Sequence, residues 1–195
     1  MKKNLITAFL MTIATTILLG IVYPLVVTVL AQVIFPKQAN GQLIQKNGTI
    51  VGSRIIGQGF SGAGYFHPRP SATAVPYDAA NSAGSNLGPT NQKLIDRVKQ
   101  DVATLQAENP GQPVPIDMVT TSASGFDPEI SPAAAEFQLP RIAKERGIPA
   151  DQLYALVNKH TEGRQFGFLG EPRVNVLELN LDMDEHYPAN KQAKE

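Results

Sequence analysis

Leu5 to Phe35 reads LITAFLMTIATTILLGIVYPLVVTVLAQVIF and contains no charged side chain. As a helix it would extend roughly 45 Å at about 1.5 Å per residue, and about 20 apolar residues suffice to cross a bilayer. Leu5 to Tyr23 nearly meets that requirement alone. Pro24 has no backbone N–H, so it is expected to kink the helix near the outer interface and free the carbonyl of Gly20. Val29 and Ala31 form a passable cleavage site, but a signal peptide has an apolar run of only about 7 to 15 residues, so a retained anchor is expected. Lys2 and Lys3 precede the run and Lys37 alone follows it closely. The positive-inside rule then keeps the N-terminus cytoplasmic and places everything after Phe35 outside the cell membrane.

Within this helix Ala8, Thr12, Thr16, Gly20, Pro24 and Thr28 recur at intervals of four. Small residues so spaced form a ridge along which two membrane helices can approach closely. The ridge drifts about 40° per step, which suits a right-handed crossing or contact with more than one neighbour. One uncharged helix cannot enclose a pore, so any transport must depend on other chains.

Beyond the membrane, Asn47-Gly48 joins two β-prone runs and suits a two-residue hairpin turn. A Gly-, Pro-, Ser-, Ala- and Asn-rich stretch follows from Phe60 to Asn91, too long to be an ordinary connection. Its aromatics Tyr65, Phe66 and Tyr77 argue against disorder. Thr90 or Asn91 is expected to cap a helix through about Glu108, with Leu94, Ile95, Val98, Val102 and Leu105 inward. "VPIDMVT" reads as a short strand. Asp127-Pro128 and Ser131-Pro132 each place a capping side chain before a proline at a first helical position. Pro140 is expected to interrupt that helix and Gly147 to end it, with another from Pro149 to about His160. "EPRVNVLELNLDMD" reads as a strand with a bulge at Val176-Leu177. The reading is an α+β fold: residues 1–4 cytoplasmic, 5–35 a transmembrane helix continuing past Pro24, 36–184 one extracytoplasmic mixed α/β domain, and 185–195 a frayed tail.

Seventeen basic and seventeen acidic residues cancel, so no basic field exists for nucleic acid. No cysteine is present, which excludes disulfides, thiolate nucleophiles and a lipoprotein anchor. A serine hydrolase requires a base. Of His67, His160 and His186 only His67 is a candidate, partnered with Ser122 or Ser124, and neither G-x-S-x-G nor S-x-x-K occurs. That leaves a signal-anchored extracytoplasmic hydrolase as the alternative reading. Three scattered histidines give no zinc-ligand spacing, and no metal site is expected. "GRQFGFLG" fits no phosphate-binding pattern. "SAGSNLGPTN" leads into a helix, so Ser82, Gly84, Ser85 and Asn86 could hold an anion on backbone amides. Tyr65, Phe66, Arg69 and Tyr77 form either a docking surface or a set of staples for their own loop. Asp78, Asp127 and Glu129 could enrich cations, and Arg69 and Arg141 could equally neutralise them.

One membrane helix ending in "GIVYPL", then "GQGF", "GYFHPRPSA", "AGSNLGPTN", "VPIDMVTTSASGFDPEISPAAAEFQLPRIA" and "GEPRVNVLELNL", resembles in order the KdpC family, the small subunit of the Kdp-type potassium-transporting P-type ATPase. The resemblance covers Leu5 to Leu181; Ala83 departs from it where the family often has a second glycine. It implies a non-catalytic accessory subunit in the inner membrane. Its partners would be a channel-like potassium-binding subunit, an ATP-hydrolysing P-type subunit and a small single-helix subunit. It implies no firmly bound cofactor: potassium would sit on a partner, and ATP would be a transient ligand shared with the ATPase subunit. The family is described as a catalytic chaperone that raises ATP affinity through a serine-glycine segment, here Ser82 to Asn86. The topology expected above conflicts with direct contact, since ATP is cytoplasmic.

Overall fold

The computed structural model describes residues 1–188, which divide into two units, Met1–Val51 and Gly52 onward. In the first, α1 (Lys2–Ile17) passes through a π-helical turn at Leu18–Val22 into α2 (Tyr23–Ile34). The turn lies directly before Pro24, and the Tyr23 N–H donates to the carbonyl of Leu18. The helix therefore accommodates its proline by widening one turn rather than by breaking. Within Lys2–Ile34 an 18-residue stretch has a mean hydropathy of 2.4, and none of that stretch is buried. A helix apolar on every side needs an apolar surrounding, and this one is long enough for a single bilayer crossing. A short α3 (Pro36–Ala39) leads to a hairpin of β1 (Leu43–Lys46) and β2 (Thr49–Ser53). Asn47 at φ 53° and Gly48 at φ 78° make the expected turn with two positive φ angles.

The second unit begins with the long irregular stretch, followed by α4 (Gln92–Glu108), which the Asn91 side chain caps by accepting from the Lys93 N–H. Next come β3 (Glu129–Ile130), α5 (Pro132–Arg146), α6 (Ala150–Lys159), β4 (Thr161–Glu162), β5 (Arg173–Asn175) and α7 (Val176–His186). The three strands form an antiparallel sheet in the order β3-β5-β4, with Ile130 and Thr161 both opposite Val174. Phe66, Ile142, Leu153, Val157, Val174, Val176, Leu179 and Met183 fill the core between this sheet and α5 to α7. The apolar face of α4 is only half-buried, although Leu105 reaches the core.

A ladder of ion pairs covers the sheet. Arg173 holds Glu129 and Glu162, each at 2.8 Å, while Arg54 pairs with Glu162 and, at 3.1 Å, with Glu178.

Several local expectations are corrected. The strand expected over Glu171–Asp184 is β5 for three residues and then a helix. Asn175 caps that helix by accepting from the Glu178 N–H at 3.1 Å. What reads as a bulge at Val176-Leu177 is the change from a period of two to one of 3.6. "VPIDMVT" forms a 3-10 turn at Ile116–Met118 rather than a strand. Ser131 caps α5 as expected, but Asp127-Pro128 leads into β3, with Asp127 Oδ1 accepting from the Glu129 N–H. Pro140 does not interrupt α5: Pro140 and Glu136, whose carbonyl loses its helical donor, are both exposed, so water can replace the missing bond. Gly147 ends the helix in the left-handed region, as expected. Glu185 and His186, expected in a frayed tail, belong to α7, and the rest of that expected tail from residue 189 lies outside the described residues.

Candidate functional site

The long stretch from Phe60 to Asn91 contains no helix or strand, so its peptide groups must find partners elsewhere. Two buried amides supply them at its centre. Asn180 of α7 accepts from the Phe66 N–H at 2.9 Å and donates to the Phe66 carbonyl at 3.0 Å. Gln138 of α5 accepts from the His67 N–H at 2.7 Å and donates to the His67 carbonyl at 3.1 Å. Each side chain acts as a one-residue strand, which lets an irregular segment enter the core. Arg146 adds a bond to the Gly64 carbonyl at 2.6 Å, an ion pair with Asp184 at 2.8 Å and a cation–π contact 4.5 Å from the centre of the Tyr65 ring.

These contacts place the four residues read as either docking anchors or staples. Phe66 is fully buried in the core, so it offers no surface to a partner. Tyr65 is half-buried, stacks 5.7 Å from Phe60 and donates to Asp184 at 3.2 Å. Arg69 pairs with Asp127 at 2.8 Å and reaches the Thr120 carbonyl. Tyr77 donates to the Arg69 carbonyl at 2.5 Å; burial, followed by the charge of Asp127, pushes its phenol well above the usual range. All four hold their own segment in place.

The serine-glycine segment lies against the turn at Ala123–Gly125. Ser82 Oγ and the Ala83 N–H both donate to the Ser124 carbonyl at 3.1 Å. A Cβ on Gly84 would stand 2.9 Å from the Ala123 carbonyl oxygen, and one on Gly125 would stand 2.5 Å from the Thr73 methyl. Close backbone approach is what these glycines provide. Ser85 is half-buried and Asn86, at φ 51°, is exposed.

An open cleft of about 540 Å³ beside Arg69 is lined by Asp117, Asp127, Glu129, Glu171 and Arg173. Its carboxylates are engaged: Asp127 by Arg69, Glu129 by Arg173, and Asp117 by the Ser131 N–H and hydroxyl. Asp78 accepts from Asn81 and from the Ala80 N–H. Arg69 and Arg173 thus offset the charges of Asp127 and Glu129, whereas Asp78 and Asp117 accept only from neutral donors. Among the described residues no group of three His, Cys, Asp or Glu is arranged to hold a metal.

The hydrolase reading finds no geometry. The His67 ring bonds the Gly62 carbonyl at 3.0 Å, Ser122 Oγ accepts from the Gly125 N–H, and Ser124 Oγ accepts from the Phe126 N–H. No serine–histidine hydrogen bond forms among the described residues. In the membrane helix, Thr12 and Thr28 donate back to the carbonyls of Ala8 and Pro24 at 2.9 and 2.8 Å. The hydroxyls of these two ridge positions are thus satisfied within the helix. The Asn180 and Gln138 clamps were not foreseen; the spacing of Val176, Leu179, Asn180 and Met183 is the signal that would have put Asn180 on a buried helical face.

Comparison with known proteins accounts for nearly the whole chain. Residues 5–185 match the family model described as KdpC: K+-transporting ATPase, c chain. The "Potassium-transporting ATPase KdpC subunit" of Koribacter versatilis (strain Ellin345) is 66% identical over 188 residues, which cover 96% of this chain and 97% of the relative. The protein of the same description from Rhodopseudomonas palustris (strain BisB18) is 56% identical over 196 residues, covering 94% and 98%. That from Methylobacterium nodulans (strain LMG 21967 / CNCM I-2342 / ORS 2060) is 53% identical over 197 residues, covering 95% and 98%. With a match from the membrane helix to the end of α7, the chain belongs to the KdpC family of K+-transporting ATPase c chains.

Proposed function

We propose that the chain is a non-catalytic accessory subunit of an ATP-driven potassium import complex. The observation that carries the proposal is the family match over residues 5–185. Its partners are a channel-like potassium-binding subunit, a P-type ATP-hydrolysing subunit and a small single-helix subunit. The ridge of Ala8, Thr12, Thr16, Gly20, Pro24 and Thr28 packs against partner helices in the bilayer. The second unit lies outside the cell membrane and covers or steadies the potassium entrance.

The role as a catalytic chaperone that raises ATP affinity is read here as indirect. Ser82 and Ala83 donate to Ser124, which leaves them less free to cradle a phosphate. An effect relayed through subunit packing fits these contacts better than nucleotide bound on this segment.

Purification of the tagged chain in mild detergent tests assembly: the larger membrane subunits are expected to accompany it, and recovery of a lone stable monomer would overturn the proposal. Protease added to intact spheroplasts is expected to cut beyond Phe35, whereas cleavage only in inside-out vesicles would reverse the topology. An azido-nucleotide is expected to label the ATPase subunit and not this chain.

A further inference from the structure

We infer that the hairpin between β4 and β5, with Phe166 and Phe168 at its tip, is the contact through which the second unit docks into an apolar crevice on a partner subunit of the same membrane complex; this rests on the accessory-subunit reading above. Phe166 is 88% exposed, Phe168 70% and Leu169 47%, yet the arm that carries them is well built. Gln165 and Leu169 exchange both backbone hydrogen bonds at 2.9 Å, and the Gly167 N–H donates to the Arg164 carbonyl at 3.1 Å. The arm continues the β4–β5 ladder, with Glu162 opposite Arg173. Its apolar tip is thus presented on a hydrogen-bonded support whose backbone polar groups are largely satisfied, as entry into an apolar site requires.

Phe166 adopts φ 51° and Gly167 φ 81°, the pair of left-handed residues of a tight hairpin turn. Asn or Gly occupies the first of those positions at little strain, whereas a bulky aromatic there is an outlier. Phe166 bears that strain and gains almost no burial within its own chain. Its advantage must therefore come from something that covers it.

Charge and area select the occupant. Among the described residues, the charged groups nearest the tip in sequence are Arg164 and Glu171, which pair with each other at 2.5 Å. Among the described residues, positions 165–169 carry no basic side chain to hold anionic lipid headgroups, and they include neither Trp nor Tyr, the aromatics that favour a membrane interface. Two phenylalanines offer on the order of 300–400 Å², well below the roughly 800 Å² per partner of an interface that stands alone. So small an anchor neither makes a stable homodimer nor captures a free protein. It suffices where a second attachment already holds the chain beside its partner, because tethering raises effective concentration. The apolar helix Lys2–Ile34 supplies that second attachment.

The test uses the assembled complex. A photoreactive benzoylphenylalanine at position 168 is expected to form an adduct with a subunit that also co-purifies with the unmodified chain. Phe166→Asn with Phe168→Ser is expected to lower retention of the chain during detergent washing by at least about tenfold, the scale of losing an aromatic interface anchor. Phe166→Asn alone should leave the melting temperature unchanged or raised, since Asn tolerates the left-handed region, so weakened docking cannot be ascribed to misfolding. Adducts only with lipid, adducts only with a second copy of the chain, or full retention of the double variant would each overturn the inference and leave the accessory-subunit reading standing. Failure of the unmodified chain to co-purify with any subunit would overturn that reading and the inference with it.

Discussion

Asn180 and Phe66 are joined by two hydrogen bonds, one to each backbone polar group of Phe66, and both residues are almost wholly buried. The pair makes an irregular segment part of the core. In Asn180→Ala the Phe66 N–H and carbonyl lose their partners where water cannot readily replace the amide. The expected destabilisation is about 2–4 kcal/mol, combining unsatisfied polar groups with a small cavity. Urea unfolding of the full chain in detergent measures it as a lower midpoint at unchanged slope; a loss below about 0.5 kcal/mol, the scale of an ordinary surface change, would refute the clamp.

That clamp also marks where legibility in the sequence ended. Apolar run, turn chemistry and caps were readable because each is local: Leu5–Phe35, Asn47-Gly48, Asn91, Ser131 and Gly147 all act on their own neighbours. The helix after Asn175 was missed because Val174 to Leu177 mixes the last residues of a strand with the first turn of a helix, so neither period is sustained. The cap Asn175 and its Glu178 were the available clue. Arg69 and Tyr65 are anchors in three dimensions only: their partners Asp127 and Asp184 are distant in sequence, and nothing local says whether an aromatic in a long loop folds inward or outward.

Gly125 tests how closely the serine-glycine segment must lie against its turn. It sits at φ 81°, and a Cβ there would meet the Thr73 methyl at 2.5 Å and the Ala83 carbonyl oxygen at 2.8 Å. Gly125→Ala therefore combines left-handed strain with overpacking, an expected loss of about 2–4 kcal/mol. Limited proteolysis should show cleavage within residues 71–91 well before the rest of the second unit is cut. Uniform resistance across that stretch would mean the turn and the segment are independent.

Acid should act on the second unit in two steps of opposite origin. Burial, then the charge of Arg141, lowers the His67 pKa against the opposing pull of the Gly62 carbonyl. The unfolded chain thus binds a proton at higher pH than the folded one, and stability falls as pH drops below about 6.5. His67→Gln should flatten that slope. Asp182 behaves as a paired carboxylate: burial raises its pKa, but hydrogen bonds from Lys159 and His160 outweigh this and hold it at about 2. Its contribution is present above the unfolded value near ~3.9 and is lost as pH falls toward about 2. The difference between wild-type and Asp182→Asn unfolding curves should therefore shrink only below about pH 4, and a difference that shrinks between pH 7 and 5 would contradict the assignment.

Gly20 separates the two roles of the membrane helix. A Cβ there meets only the Thr16 methyl at 3.9 Å, so the isolated helix has room for a larger side chain. Gly20→Leu adds apolar surface that suits lipid and should leave insertion and the melting of the second unit unchanged. Along a packed ridge the same side chain would hold two helices apart. Retention of partner subunits in detergent is then expected to fall about tenfold, equivalent to ~1.4 kcal/mol of packing. Ala14→Leu adds nearly as much bulk on the opposite side of the helix from Thr12 and Thr16 and should retain its partners. The comparison depends on position rather than on hydrophobicity, so equal losses from both variants would mean that the small-residue spacing is not the contact, and equal retention would mean that the helix serves as an anchor alone.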